Sequence, residues 1–295
     1  MEEWTFVHVT DIHVGSPDSF RFAPAWNENW KTARSQIIAA APDFLLVGGD
    51  VARDGLLHRS ELEQIKADLD SLPFPYHVIP GNMDIGNKYT DIAGPQRDDP
   101  SLNVTEKGLA QFESIFGPLW WSFDHKNIRF SGLCDIAINS GLPQEARLWR
   151  WVEDQNVRPH AARHVWLSHH APFIDSPDEP NFNIAEPGQY HDWYFGIDEP
   201  GRGRLLESFK LTRANIVLSG HIHCRHKQKF DAIEYYKGPS TAFSQWGDRW
   251  PEGDDTLGFQ RFDVSGSQIR QSFVPLTQFS SSTGYGPGGH PRPST

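Results

Sequence analysis

Five short apolar runs in this 295-residue chain end in side chains that can bind a metal ion. The endings read "DIH", "GGD", "GN", "SHH" and "GHIH". The carboxyl ends of strands in an open α/β sheet meet at one crevice, so residues far apart in sequence can converge there. One such ending also fits a helix cap beside an ordinary histidine, but five in one chain predict a metal site. The candidate ligands are Asp11, His13, Asp50, Asn82, His169, His170, His221 and His223.

The first third of the chain alternates strand and helix patterns. The runs "WTFVHVTDIH", "DFLLVGGD" and "YHVIPGN" have the apolar, β-branched character of buried strands. Between them, residues 27–41 and 62–72 repeat apolar side chains at helical spacing. This β-α-β-α-β order predicts a parallel sheet with crossover helices.

The rest of the chain predicts further strands and one long irregular segment. A hairpin is expected at residues 120–135 with its turn at "DHKN", and a second over "SGS". Residues 174–203 show no period, which is typical of a functional insertion loop. We therefore predict one domain at 1–278 containing that loop, followed by a flexible low-complexity tail at 279–295.

Composition limits the classes of function. The formal net charge is −11, which argues against general nucleic-acid binding because phosphate backbones demand clustered positive charge. Two cysteines fit a reducing compartment, and the start of the chain lacks a basic leader. No apolar run approaches the ~18 residues of a membrane span. These features predict a cytoplasmic protein without membrane partners.

The mixture of ligand types narrows the choice of metal. Imidazole and carboxylate with a neutral amide oxygen suit Mn, Fe, Zn, Co or Ni, with Fe, Mn or Zn expected first, and the lack of thiolates argues against a structural zinc site. Eight candidate groups exceed the needs of one ion. They suffice for two divalent or trivalent ions if one carboxylate, most simply Asp50, bridges them.

The ordered motifs resemble those of the calcineurin-like metallophosphoesterase superfamily, whose pattern is D-x-H, G-D, G-N-H-D/E, H-x-P and G-H-x-H. The resemblance extends to about Leu276 and looks closest to the branch with class III cyclic nucleotide phosphodiesterases and glycerophosphodiesterases. It implies a four-layer α/β/β/α sandwich with mixed sheets. It also implies hydrolysis of a small phosphodiester or phosphomonoester by a hydroxide that bridges two metal ions.

Carried over residue by residue, the resemblance implies two ligand sets. The first is Asp11, His13, Asp50 and His223, and the second is Asp50, Asn82, His221 and a histidine of "HHAP". His170 fits the H-x-P spacing and is slightly favoured, while His169 directly follows the strand, so both stay candidates. The catalytic candidates are Asp50, Asn82, His170 and His191.

Met83 is the one departure from the family pattern, which has a histidine there. A thioether donates no proton and carries no charge. Three hypotheses follow: hydrolysis with another proton donor or an undemanding leaving group, a metal-binding protein without turnover, or a specialised substrate. His191 is the first candidate for a replacement donor. Asp84, which would orient the family histidine, also fits a role as a turn cap.

Several alternatives stay open at this stage. Ser168 precedes His169, but the glycine-flanked elbow of a serine hydrolase is missing around it. The basic residues near "GHIH" fit either an anion-binding rim or a solvated face. The aromatic side chains at 193–195 could cap the site or pack onto the domain. A small-molecule phosphoester is the expected partner, and a homo-oligomer is possible.

Overall fold

Two β-sheets form the centre of the fold. The computed structural model describes residues 3–91, 100–245 and 250–282. The strands are β1 (Glu3–Val9), β2 (Phe44–Val47), β3 (Tyr76–Val78), β4 (Trp121–His125), β5 (Ile128–Gly132), β6 (Arg163–Leu167), β7 (Ile216–Ser219), β8 (His226–Phe230), β9 (Ile233–Lys237), β10 (Gly258–Ser265) and β11 (Gln268–Pro275). The helices are α1 (Pro24–Ala40), α2 (Arg59–Asp70), α3 (Asn82–Ile85), α4 (Glu106–Phe116), α5 (Pro143–Val157), α6 (Tyr190–Phe195) and α7 (Gly201–Leu211).

The first sheet has the order β11-β10-β1-β2-β3. Strands β1, β2 and β3 are parallel, with α1 and α2 as their crossover helices, which confirms the predicted β-α-β-α-β unit. The hairpin β10–β11 joins antiparallel to β1. Helix α1 begins at Pro24, three residues before the predicted start, and Ala41 ends it in the left-handed conformation.

The second sheet has the order β4-β5-β6-β7-β9-β8. Strands β5, β6, β7 and β9 are parallel, while β4 and β8 add antiparallel edges. The predicted β4–β5 hairpin turns at Lys126 and Asn127, whose φ angles of 47° and 68° are typical of a tight two-residue turn.

Aromatic packing joins the two sheets. The Phe6 ring stacks on Phe44 at 5.7 Å and on Phe262 at 4.6 Å, and Phe130 of the second sheet meets it edge-on at 5.1 Å. On the other face of β1, alternate residues such as Val7 share a buried cluster with the α1 helix. Two mixed sheets with flanking helices confirm the expected α/β sandwich.

The structure differs from the sequence prediction at four elements. The predicted strand "YHVIPGN" ends at Val78, and Asn82 begins the short helix α3. Helix α6 lies inside the segment expected to be irregular, and α7 begins at its end. At six residues, α6 is too short to establish a helical period. Strand β8, "HKQKF", is a polar edge strand and so lacks the apolar run that marked the others. Within the described residues no helix combines the length and hydrophobicity of a membrane crossing.

The predicted tail and domain limits are only partly covered. The Ser280 amide donates to Asn29 Oδ1 at 2.6 Å, so the chain at this point lies against α1. Residues 283–295 of the predicted tail lie outside the described residues. The boundary at residue 278 therefore stays a prediction.

His77 of β3 predicts a pH dependence of stability. Its ring stacks on Phe123 at 3.9 Å, and burial lowers its pKa from 6.5 to about 4. The fold favours the neutral ring, so its contribution is complete above about pH 6.5 and is lost as the pH falls toward 4. When the pH falls from 7.5 to 5, the titration of His77 should lower the free energy of unfolding by about 2 kcal/mol.

The variant His77→Phe keeps the stacked ring and removes this titration. Urea unfolding at pH 7.5 and pH 5 should give a loss on acidification that is about 2 kcal/mol smaller for the variant than for the parent. Equal losses in both proteins would show that His77 titrates normally in the fold.

Candidate metal centre

The strand ends of both sheets converge on one crevice. Asp11 and His13 follow β1, Asp50 follows β2, and His221 and His223 follow β7. All five adopt left-handed backbone conformations, with φ between 49° and 69°. Such conformations cost on the order of 1 kcal/mol or more each in a non-glycine residue and tend to cluster at functional sites. The turns therefore position these five side chains at the cost of local backbone strain.

The first ligand group consists of Asp11, His13 and His223, all buried. The His13 and His223 Nε2 atoms lie 3.1 Å apart, and His223 Nε2 lies 3.2 Å from Asp11 Oδ1. His223 Nδ1 lies 2.8 Å from the Phe243 carbonyl oxygen, which can only accept. Nδ1 thus carries the proton, and Nε2 keeps its lone pair for a metal ion.

The second group consists of Asp50, His169 and His221. His169 Nδ1 donates to the Gly48 carbonyl at 2.8 Å, so its Nε2 faces Asp50 Oδ1 at 3.4 Å and Asn82 Oδ1 at 3.1 Å. His221 Nε2 donates to the Tyr194 carbonyl at 3.1 Å, which leaves Nδ1 as the ligand nitrogen.

Asp50 lies between the two groups. Its Oδ2 is 3.7 Å from His13 Nε2, and its Oδ1 is 3.4 Å from His169 Nε2. The Met83 amide donates to Oδ1 at 2.8 Å and orients the carboxylate. One side chain therefore reaches both groups, as a bridging ligand must.

The structure separates the two histidines of "HHAP". His169 joins the second group, whereas His170 Nδ1 is 2.7 Å from Asp135 Oδ2 and lies outside both groups. Asp135 also accepts the His169 amide at 2.6 Å and the His170 amide at 3.0 Å. The H-x-P spacing favoured His170, but the hydrogen bond to Gly48 on the first sheet turns His169 toward Asn82.

Sequence reasoning gave Asp135 no role. It ends the predicted hairpin as the last residue of "SGLCD", so an acid at a further strand end was the available signal. Its carboxylate fixes the backbone that carries His169.

The "GNMD" loop holds the site from the β3 side. Asn82 directs Oδ1 to His169, and its Nδ2 donates to Asn87 at 3.0 Å and to the Tyr194 hydroxyl at 3.1 Å. Asp84 accepts the Gly81 amide at 2.8 Å and the Ala52 amide at 2.9 Å. These bonds agree with the role of a turn cap for Asp84.

Helix α6 of the insertion covers the second group. The Tyr194 ring lies 4.7 Å from the His221 ring, and the Phe195 ring lies 4.9 Å from it. The His191 ring contacts Tyr190 at 5.4 Å and Phe195 at 6.4 Å. Among the described residues, His191 belongs to neither ligand group, and Tyr194 supplies the helix's hydroxyl contact to Asn82.

The electrostatics fit bound cations. Burial lowers the pKa of both His13 and His221 well below the usual value, so these rings stay neutral as metal binding requires. Burial alone would lower the pKa of His169 as well, but Asp50 and the neighbouring carboxylates raise it to about 10. The buried carboxylates therefore stabilise a positive charge at this place, which either a protonated His169 or bound metal ions can supply.

The basic side chains near "GHIH" are largely paired with acids. Arg202 Nε lies 3.1 Å from Glu199 Oε1, and Lys227 Nζ lies 2.8 Å from Glu234 Oε1. Arg225 pairs with Asp254. Arg202 is itself buried, and the acid partners of all three side chains argue against an anion-binding rim.

The two-sheet sandwich and its two His/Asp groups define an α/β protein with two adjacent candidate metal sites. Residues 5–225 match the Calcineurin-like phosphoesterase family. The chain belongs to this family, as its motifs predicted, and is therefore a phosphoric ester hydrolase. The family uses a dinuclear metal centre, and this chain has two candidate metal-binding groups.

Relatives are distant but cover nearly the whole chain. "Serine/threonine-protein phosphatase CPPED1" of Danio rerio is 23% identical over 95% of this chain and 88% of its own. A "Probable cyclic nucleotide phosphodiesterase" of Pseudoalteromonas sp. (strain SM9913) is 22% identical over 92% and 93%. The crystal structure of a dimetal phosphatase from Danio rerio superposes with a TM-score of 0.58 at 12% identity, covering 95% of this chain and 98% of that one.

Gly81 tests how tightly the site is built. A Cβ at this position would lie 2.2 Å from both the amide nitrogen and Oδ1 of Asp50. Gly81→Ala must therefore displace Asp50 and should cost about 1–3 kcal/mol of unfolding free energy together with bound metal. Thermal unfolding and metal analysis measure both effects.

Gly188→Ala is the matched control, because nothing lies within 4 Å of a Cβ at that position. It should leave stability and metal content unchanged. A Gly81→Ala protein that matched this control would show that the loop does not pack against Asp50 as described.

Proposed function

We propose that the chain hydrolyses a small phosphodiester or phosphomonoester with two metal ions bound at adjacent sites that share Asp50. The observation that carries this proposal is the position of Asp50, within 3.4 Å of His169 Nε2 and 3.7 Å of His13 Nε2. Two metal ions in this crevice would activate water and neutralise phosphoryl oxygens. Iron, manganese and zinc suit the donor set.

We assign the ligands as follows. Asp11, His13, Asp50 and His223 would hold the first ion. Asp50, Asn82, His169 and His221 would hold the second. His169 replaces His170 in this assignment, because His170 faces Asp135. His170 then becomes a neighbour of the site, 4.3 Å from the His221 ring.

A serine nucleophile has no support. Ser168 Oγ donates to the His170 carbonyl at 2.9 Å and is buried, so it is directed away from an open face. Hydrolysis by activated water needs no covalent intermediate on the chain. This favours direct attack on phosphorus.

The covering helix favours a small substrate. Tyr194 and Phe195 lie against His221, and the Tyr194 hydroxyl reaches Asn82. An aromatic cover so near the second group suits a small molecule with an apolar or flat part more than a folded phosphoprotein. Cyclic nucleotides and glycerophosphodiesters are the classes we propose first, and one relative's name carries the cyclic nucleotide activity.

Met83 bears on the leaving group. Its backbone amide orients Asp50, but its thioether cannot protonate a departing oxygen. General acid catalysis typically contributes about 10²- to 10⁴-fold. Hydrolysis should therefore be slow for poor leaving groups and less impaired for those that leave unaided. Among the described residues His191 is a member of neither candidate metal group, so we give it no acid role in the proposal.

A substrate panel tests the function. The protein is stripped with a chelator, reloaded with Mn, Fe or Zn, and assayed on aryl phosphomonoesters, aryl phosphodiesters, cyclic nucleotides and glycerophosphodiesters. We expect activity to require about two metal ions per chain and to fall steeply as the leaving group becomes more basic. Met83→His should flatten that dependence.

Two results would contradict the proposed function. A chain that binds two metal ions and hydrolyses no member of the panel would contradict the proposed hydrolysis and favour a metal-binding protein without turnover. Activity that survived complete removal of metal would contradict the proposed metal dependence.

A further inference from the structure

Arg53 has no role in the metal centre described so far, yet its side chain is enclosed. It is 8% exposed and follows Asp50 by three residues. Its guanidinium carbon lies 4.8 Å from the Trp26 ring, 5.1 Å from Phe20 and 5.5 Å from Phe243. Stacking on aromatic faces stabilises a cation with few water contacts. The fold therefore holds the charged guanidinium of Arg53 in a fixed position.

The backbone around Arg53 is tied to the first ligand group. The Arg53 amide donates to the Val14 carbonyl at 2.8 Å, next to His13. A Cβ at Gly15 would lie 2.8 Å from the Arg53 Cβ, so the absence of a side chain at Gly15 lets the two segments approach. Arg53 is thus built into the same turn that places His13.

The rings that hold the guanidinium also contact the metal ligands. Phe243 lies 5.0 Å from the His13 ring and 4.5 Å from the His223 ring, and Trp26 lies 6.4 Å from His13. This places the guanidinium beside the first group. Burial lowers the pKa of Arg53 to about 10, so it stays charged at neutral pH, and the charges that act on it include Asp50 and Tyr194.

The Nη atoms of the Arg53 guanidinium are available to another partner. Nε donates to the Phe20 carbonyl at 2.7 Å, and within residues 3–91, 100–245 and 250–282 no carboxylate pairs with the guanidinium and no acceptor takes its Nη atoms. The adjacent Asp54 instead accepts the Phe20 amide at 3.3 Å and lies 3.6 Å from His58. The Nη atoms are the accessible part of an otherwise enclosed guanidinium beside the metal centre, and this placement suits an anionic ligand.

We infer that Arg53 binds the substrate's phosphoryl group, donating from Nη to a non-bridging oxygen on the side of the first ligand group. This inference rests on the proposed function. A guanidinium stabilises the negative charge that develops on the phosphoryl oxygens during displacement. It supplies the charge and hydrogen bonds that Met83 cannot, but it does not protonate the leaving oxygen.

The test measures binding of inorganic phosphate to the metal-loaded full chain by calorimetry, with metal content and unfolding temperature recorded in parallel. Arg53→Gln should weaken phosphate binding about 10- to 100-fold while two metal ions stay bound. Arg53→Lys keeps the charge and loses the fork, so it should fall between the parent and Arg53→Gln. It also keeps the test valid if the glutamine variant fails to fold.

Arg21→Gln is the matched control. Arg21 is an exposed arginine of the same region, with its guanidinium carbon 5.0 Å from the Phe20 ring. Its loss removes a nearby charge without emptying the crevice and should change phosphate affinity less than about twofold. Equal losses for Arg21→Gln and Arg53→Gln would overturn the inference, as would unchanged affinity in Arg53→Gln or loss of metal from both Arg53 variants.

Phosphate binding does not depend on turnover, so the two failures can be told apart. Phosphate binding that depends on Arg53 in a protein that hydrolyses nothing would sink the proposed function and leave this inference standing. Hydrolysis with unchanged kcat, KM and phosphate affinity in Arg53→Gln would do the reverse.

Discussion

The shared carboxylate of Asp50 is the constraint around which this crevice is organised. It must reach both ligand groups, so the turn after β2 has a φ of 49° at Asp50 and Gly81 packs directly against it. The Met83 amide fixes one oxygen, and Asp84 ties the neighbouring loop segments through their amides. The backbone of "GNMD" thus positions the Asp50 carboxylate independently of the side chain at position 83.

Much of this arrangement could be predicted from sequence because ligands follow strands. The runs before Asp11, Asp50 and Asn82 are apolar and short, and parallel strands bring their ends together without any long-range information. The choice between His169 and His170 could not be made in that way. It depends on Gly48 and Asp135, which approach from other strands, and sequence spacing carries no record of such contacts.

The structure of the insertion is harder to predict from sequence for a related reason. Helix α6 has only six residues, too few for a helical period, and depends on the burial of Tyr190, Trp193 and Phe195 and on its contact with His221. Arg53 was hidden as well, since one arginine in a loop has no distinguishing pattern. Its enclosure by Trp26, Phe20 and Phe243 becomes visible only in three dimensions. Together Met83 and Arg53 suggest a site that stabilises phosphoryl charge without a histidine acid at position 83.

The proposed hydrolysis depends on two metal ions that share Asp50. Anomalous diffraction from crystals of the manganese-loaded protein tests it most directly. We expect two peaks about 3.5–4 Å apart, one beside Asp11, His13 and His223 and the other beside Asn82, His169 and His221, with the Asp50 carboxylate between them. A single peak, or a second ion bound by His170 and Asp135, would contradict it.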